Sequence, residues 1–326
     1  MLLAFSAIIF GLTLLVWSAD KFVEGASSLA SHFGVSPLII GITIIGFGTS
    51  APEILVSIIA VMEDTPDIAI GNALGSNIAN IGLILGVTAF ITPIPIAKGL
   101  LRREYPLLVI ATAILMWCLI DGSLDQLDGL TLILVLAAIL IYLIKSHQNT
   151  PNKNELAKGL SEAIPGNMTL VSAIIWVSVG LILLVSSSKI LVWGATDIAL
   201  ALGVSELIIG LTVIALGTSL PELAASIVSL KKGVPDMAIG NVIGSNLFNS
   251  LAVIGLPALL TDFSINSHAV SRDLPVVGGL TVVLLCLSCF PASSTPSLSR
   301  IKGTLLLSCF VIYQLYLYYS VMAGNS

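Results

Sequence analysis

The chain has 326 residues, of which 56% are hydrophobic and only 10% charged, with a formal net charge of −5. A soluble domain carries about 25% charged residues, so a soluble enzyme, a nucleic-acid binder and a disordered chain are excluded together. The apolar runs are long and unbroken rather than short and alternating, which points to an all-α polytopic membrane protein and away from a lipid-facing β-barrel.

In chain order, windows of about 20 apolar residues predict ten transmembrane helices, at 2–20, 37–61, 68–92, 105–121, 129–145, 169–188, 206–230, 237–260, 274–291 and 303–322, the first and sixth extending some residues further. Met1 to Ser18 is apolar with no preceding Lys or Arg, the pattern of a first membrane span rather than a cleaved leader. The longest polar stretch, 146–167, reads as a linker. It divides the chain into a first membrane repeat, 1–145, and a second, 168–326. Cys118, Cys286, Cys289 and Cys309 all lie in apolar runs. Cys286 and Cys289 have C-x-x-C spacing but no further ligands nearby, so they read as buried small hydrophobes rather than a metal or redox site.

With the N-terminus outside, the inner loops collect Lys21, Lys98, Arg102, Arg103, Lys145, Lys153, Lys158, Lys231, Lys232, Arg300 and Lys302, which is 11 of the 13 basic residues. The outer loops hold Glu63, Asp64, Asp121, Asp125, Asp128 and Asp262. The positive-inside bias therefore places both termini outside.

Two segments nearly repeat. GITIIGFGTSAPE and PDIAIGNALGSNIANIGLILG in the first half answer GLTVIALGTSLPE and PDMAIGNVIGSNLFNSLAVIG in the second, at a constant offset of 169 residues. Each copy has an odd number of spans, so the second enters the membrane from the opposite side. The loop after span two is acidic at Glu63 and Asp64, and the loop after span seven is basic at Lys231 and Lys232. Inverted five-helix repeats are an architecture of secondary transporters, with the site near the midplane where the halves meet.

Glu53 and Glu222 fall in the middle of spans two and seven, where a charge is expensive and marks a functional site by default. Spans two, three, seven and eight contain no basic partner, so a cation from outside the protein is the expected one. Pro52 and Pro221 precede the glutamates, and each removes a donor from the carbonyl four residues back, Gly48 and Gly217. A helix break follows, with carbonyls from Gly46 to Thr49 and from Ala215 to Thr218 able to face a cation. Thr49, Ser50 and Ser57, with Thr218, Ser219 and Ser226, lie on the carboxylates' side of their helices. Spans three and eight add Ser76, Asn77 and Asn80, and Ser245, Asn246 and Asn249. Gly71 with Gly75, and Gly240 with Gly244, have the spacing of close helix packing. Every candidate ligand is an oxygen, which suits hard cations such as Ca²⁺, Mg²⁺ and Na⁺.

The paired GTSxPE and GSNxxN motifs, at 48–53 and 75–80 and again at 217–222 and 244–249, resemble the α-repeats of the sodium/calcium exchanger family within the cation/calcium antiporter superfamily. The likeness covers nearly the whole chain and is nearest to short bacterial exchangers of an inner membrane. It implies ten helices and alternating access, with Ca²⁺ held by Glu53 and Glu222 and no cofactor. It implies that Thr49 and Thr218 lend their carbonyls, and that Ser50, Ser219, Ser76, Ser245, Asn80 and Asn249 help hold Na⁺. Some members carry Asp at the last motif position of one repeat, and potassium-dependent ones carry it where this chain has Asn249, so a potassium-independent branch is implied. The linker is too short for the regulatory calcium-sensing domains of animal exchangers. Transported Ca²⁺ and Na⁺ and the bilayer are the expected partners. The competing readings are an H⁺/Ca²⁺ antiporter, a passive cation channel and a non-transporting scaffold.

Overall fold

In a medium without water backbone polar groups can be satisfied only within helices or closed barrels, and long continuous apolar runs select the helix. The computed structural model describes residues 1–148, 168–203, 215–290 and 296–322. Helix α1 is Leu2–Phe33, ended by Gly34 in the left-handed conformation. Helix α2, Pro37–Met62, starts with Pro37 in its first turn behind a Ser36 cap. Helix α3 is Pro66–Ile91, α4 Glu104–Leu119 and α5 Gln126–Gln148. The second half contains α6, Leu170–Ala201, α7, Leu220–Lys231, α8, Pro235–Leu260, α9, Ala269–Cys289, and α10, Arg300–Met322.

Among the described residues, eight helices are long and apolar enough to cross a bilayer. The fourth predicted span forms a helix of only 16 residues, about 24 Å at 1.5 Å per residue. The seventh lies partly outside the described residues, as does almost all of the predicted linker.

The inverted relation of the halves is visible in how α1 packs on α6. A Cβ added to Gly11 would meet Leu191, and one added to Gly180, its repeat counterpart, would meet Phe22, the counterpart of Leu191. Gly25 meets Ala173 and Val177, and Gly194 meets Ala4 and Ile8, again counterpart for counterpart. Rising numbers on one helix face falling numbers on the other, so α1 and α6 are antiparallel and related by a pseudo-twofold axis. Glycine is required here because the backbones touch: added Cβ atoms would lie 2.9 Å from the Ala173 carbonyl oxygen and 2.7 Å from that of Ala4.

Short connections also sort by face. Strand β1, Ile94–Pro95, pairs with β4, Ser297–Leu298, and both lie in loops expected inside. Strand β2, Ser123–Leu124, pairs with β3, Phe263–Ser264, and both lie in loops expected outside. Lys232 meets Asp20 at 2.8 Å, linking the ends of α7 and the first predicted span.

Three expectations need correction. Helices α1 and α6 each run for 32 residues, so Lys21 sits within α1 rather than in a loop; it pairs with Glu24 at 2.9 Å and lies over the Trp176 ring. Apolar counting stops at the first charges, whereas the α1–α6 contact carries the helix through them. Cys286 is exposed on α9, and Cys289 and Cys309 are half-buried; of the four cysteines only Cys118 is buried. The glycine pairs also differ. Gly240 and Gly244 press α8 against α2, where an added Cβ on Gly240 would clash with the Leu38 carbonyl, whereas Gly71 and Gly75 meet no such contact among the described residues.

The most enclosed spanning helices are α8 and then α3, while the outer faces of α1, α6 and α10 carry exposed Leu3, Phe10, Ile182, Ile301 and Tyr319. Apolar residues outside and polar ones enclosed is the arrangement expected in lipid, and Glu53 on α2, Asn80 on α3, Glu222 on α7 and Asn249 on α8 are all among the enclosed residues.

Candidate cation-binding site

Glu53 on α2 is 3% exposed and Glu222 on α7 is 2% exposed. They come from opposite repeats, and Asn241 joins them: its amide nitrogen donates to the Glu222 carbonyl and its oxygen lies 3.3 Å from the hydroxyl of Thr49, one turn before Glu53. Among the described residues, the four salt bridges lie elsewhere and involve neither glutamate.

Thr49, fully buried, links the halves. Its hydroxyl lies 3.3 Å from the Asn241 side-chain oxygen and 3.3 Å from the Ser245 hydroxyl on α8. The two helices can approach this closely because they meet at glycines: a Cβ on Gly46 would lie 3.0 Å from the Gly244 backbone.

The predicted ligands Ser50, Ser76, Asn80, Ser219, Ser245 and Asn249 are all buried. Among the described residues, Glu53 Oε2, Glu222 Oε2, Ser50 Oγ, Asn80 Oδ1 and Asn249 Oδ1 are buried without a protein hydrogen-bond partner. Buried polar atoms in native proteins are nearly always paired; these five come from both repeats, and Thr88 Oγ1 and Ser229 Oγ, outside the predicted set, are unpaired as well among the described residues. Asn80 and Asn249 also stand on π-helical turns, Ala79–Leu85 and Asn249–Val253, a distortion frequent at functional sites.

Other predicted positions behave differently. Thr218 is exposed where its counterpart Thr49 is buried. Helix α2 does not break at Pro52: it is α-helical from Gly46 to Met62, and its irregular turn lies upstream at Gly41–Ile45. The second half does break, at Ser219, between the turn Ala215–Thr218 and α7. There the carbonyl that Pro221 leaves without its helical donor, Gly217, accepts a hydrogen bond of 2.7 Å from the Ser188 hydroxyl. It is therefore capped by protein rather than left for an ion. Asn77 donates to Ser250 across the halves at 2.9 Å, while the side chain of Asn246, whose counterpart acceptor position is Ile81, is unpaired among the described residues.

Sequence reasoning missed Asn72 and Asn241. Asn72 donates to the Glu53 carbonyl at 3.2 Å and to the Ser57 hydroxyl at 3.3 Å. Asn241 donates to the Glu222 carbonyl at 3.1 Å and to the Ser226 hydroxyl at 3.0 Å. Both belong to the repeated IGN triplet, 169 residues apart, and that repetition of an amide inside an apolar span was the available signal. The two bonds also occupy Ser57 and Ser226, weakening those hydroxyls as ion ligands.

A sequence model of the family described as sodium/calcium exchanger protein matches residues 3–145 and 172–319. The chain is 42% identical to CaxA of Alkalimonas amylolytica over 98% of its own length and 100% of that relative. It is 40% identical to the inner membrane protein YrbG of Escherichia coli, covering 98% of each. Among solved structures it is similar to the sodium-calcium exchanger NCX_Mj soaked with Na⁺ and Ca²⁺, with a TM-score of 0.80 and 32% identity over 96% of this chain and 97% of the other.

Proposed function

The chain belongs to the sodium/calcium exchanger family, and from that premise we propose that it exchanges Na⁺ for Ca²⁺ by alternating access, with Ca²⁺ held between Glu53 and Glu222. Family membership makes it an integral membrane antiporter of cations and Ca²⁺. The coupling ion and the site residues are the reading proposed here.

The observation that carries this reading is the set of five buried, unpaired oxygens, two of them carboxylate, drawn from both repeats. Two carboxylates balance one divalent ion, and Ca²⁺ takes six to eight oxygens in flexible geometry. Backbone carbonyls of Thr49 and Thr218, with hydroxyls of Ser50, Ser219, Ser76 and Ser245, would complete the shell for Ca²⁺ or for Na⁺ in its place. A proton needs only a carboxylate, so the neutral oxygens favour Na⁺ as the competing ion. A site formed from both halves suits alternating access, because relative movement of the repeats would open it to one face at a time.

An H⁺/Ca²⁺ antiporter is the second reading, favoured by two buried carboxylates from opposite repeats, whose charge a proton can neutralise. Everted vesicles separate the two. Under the Na⁺ reading, an imposed Na⁺ gradient drives Ca²⁺ movement with the pH gradient collapsed. Movement driven only by a proton gradient would establish the H⁺ reading. Orientation, proposed with both termini outside and in an inner membrane as YrbG's name describes that relative, is read by reporter fusions. Fusions at Lys231–Lys232 should report cytoplasm and those at Glu63–Asp64 the exterior.

A further inference from the structure

Asn72 and Asn241 lie outside the ligand set proposed above, yet each makes the same pair of bonds in its own repeat. The amide nitrogen donates to the backbone carbonyl of the glutamate and to the serine hydroxyl one turn beyond it. A carbonyl can only accept, so these contacts settle which end of each amide is nitrogen. The glutamate-bearing helix is thereby pinned to the helix that follows it, at the residue whose carboxylate must meet the ion.

Asn241 does more. Its amide oxygen lies 3.3 Å from the Thr49 hydroxyl of the opposite repeat. That hydroxyl has one proton and competing acceptors: the Ile45 carbonyl of its own helix at 3.1 Å, the Asn241 oxygen at 3.3 Å and the Ser245 hydroxyl at 3.3 Å. The proton can stay within the first repeat or bridge to the second. Asn241 is fully buried and Asn72 half-buried, so the bridging member is also the better enclosed one.

We propose that Asn72 and Asn241 are positioning residues for the exchange site: each sets the placement of its glutamate, and Asn241 with the Thr49 hydroxyl ties the two repeats together around the ion. This rests on the two-glutamate reading. Both asparagines lie outside the proposed ligand set and act through the glutamates, so their loss should loosen Ca²⁺ binding more than it slows turnover at saturating Ca²⁺.

The test is Ca²⁺ uptake in proteoliposomes, reading the KM for Ca²⁺ and the maximal rate separately. Asn72→Ala and Asn241→Ala should each raise KM about tenfold, the scale of one or two buried hydrogen bonds, with a maximal rate within about threefold of the parent protein's. Thr49→Val combined with Asn241→Ala should fall short of the product of the two single effects, because one bond is deleted by both changes while each residue's other bonds are lost separately. Thr49→Val combined with Asn72→Ala should multiply. Thr49→Ser, which restores a hydroxyl, should recover most of the loss of Thr49→Val. Should an asparagine variant fail to fold, Ser57→Ala and Ser226→Ala remove the other end of the bond and should raise KM by roughly threefold. An unchanged KM in the asparagine variants, or in the serine variants where those stand in for them, overturns the positioning role. Multiplicative behaviour of Thr49→Val with Asn241→Ala overturns the cross-repeat tie. Either failure is distinct from failure of the site itself, which would show as uptake surviving Glu53→Gln and Glu222→Gln.

Discussion

Around Pro52, α2 is unbroken, Thr49 is buried and its hydroxyl reaches the opposite repeat. Around Pro221 the helix stops at Ser219, Thr218 is exposed, and the Gly217 carbonyl is capped from α6. The two turns share GTSxPE but differ at and beside it, with Gly46 and Ala51 in the first half against Ala215 and Leu220 in the second, and they differ in what packs on them. Ser188 supplies the cap in the second half, whereas its counterpart in the first half, Ala19, has no hydroxyl. On the alternating-access reading proposed above, inverted halves in one conformation occupy different environments, and that difference is what exchanges during the cycle.

The largest expected effect ignores the asymmetry. Glu53→Gln and Glu222→Gln should each lower Ca²⁺ transport by roughly a hundredfold or more, the consequence of removing one partner from a desolvated charge assembly. Near-normal uptake by either variant, measured with radioactive Ca²⁺ in vesicles, would mean that only one turn holds the ion and that the comparison is between a site and a relic.

The expected resemblance was legible because its signals are local or periodic. Apolar runs located the spans, and the 169-residue offset exposed the duplication; charges at lipid depth singled out Glu53 and Glu222. What escaped depends on the third dimension. The contact of Asn72 with Glu53 crosses the turn at 63–65 and exists only once α2 and α3 are folded against each other. The π turns at Asn80 and Asn249 leave no period that differs from an α-helix over so few residues. The contrast between Thr49 and Thr218 cannot be read from the motif, since both are the same letter in it.

Substitution at those two threonines tests the contrast directly. Thr49→Val deletes a hydroxyl buried beside Asn241 and Ser245, and transport should fall about tenfold. Thr218→Val acts at an exposed position outside that buried cluster, and should cost about twofold. Equal losses in the uptake assay would show that the two turns pass through equivalent environments often enough for the cycle to average them.

A smaller effect isolates the cap on the second turn. Ser188→Ala leaves the Gly217 carbonyl without its 2.7 Å donor, and should lower stability by about 1 kcal/mol. Ser187→Ala is the control, because that hydroxyl returns to the Leu184 carbonyl of its own helix, an interaction that contributes little. Thermal melts of the purified protein in detergent should separate the neighbours. Coincident melts would remove the cap as the reason why the second turn breaks where the first does not.

The smallest expected effect is none at all, and it concerns a place where the halves remain alike. Asn80 and Asn249 are both neutral, both buried, both on π turns, and each has an unpaired side-chain oxygen. The proposed site therefore holds two negative charges, from Glu53 and Glu222, which one Ca²⁺ balances. With a carboxylate at either asparagine there would be charge for a co-transported monovalent ion beside Ca²⁺; with two amides there is not. Replacing K⁺ by choline on both sides of proteoliposomes should leave Na⁺-driven Ca²⁺ flux unchanged, with the potential clamped by an ionophore other than valinomycin. A strict K⁺ requirement would show that some other group supplies the missing charge. Varying the clamp then counts the sodium ions. Two Na⁺ would balance the glutamates as Ca²⁺ does and leave the flux indifferent to voltage. A third would leave one net positive charge moving with the site, which feels the potential at about 2.3 kcal/mol per 100 mV. Asn249→Asp should turn the K⁺-independent flux toward K⁺ dependence, and Asn80→Asp should do the same only if the two halves are as interchangeable at this layer as their matching π turns imply.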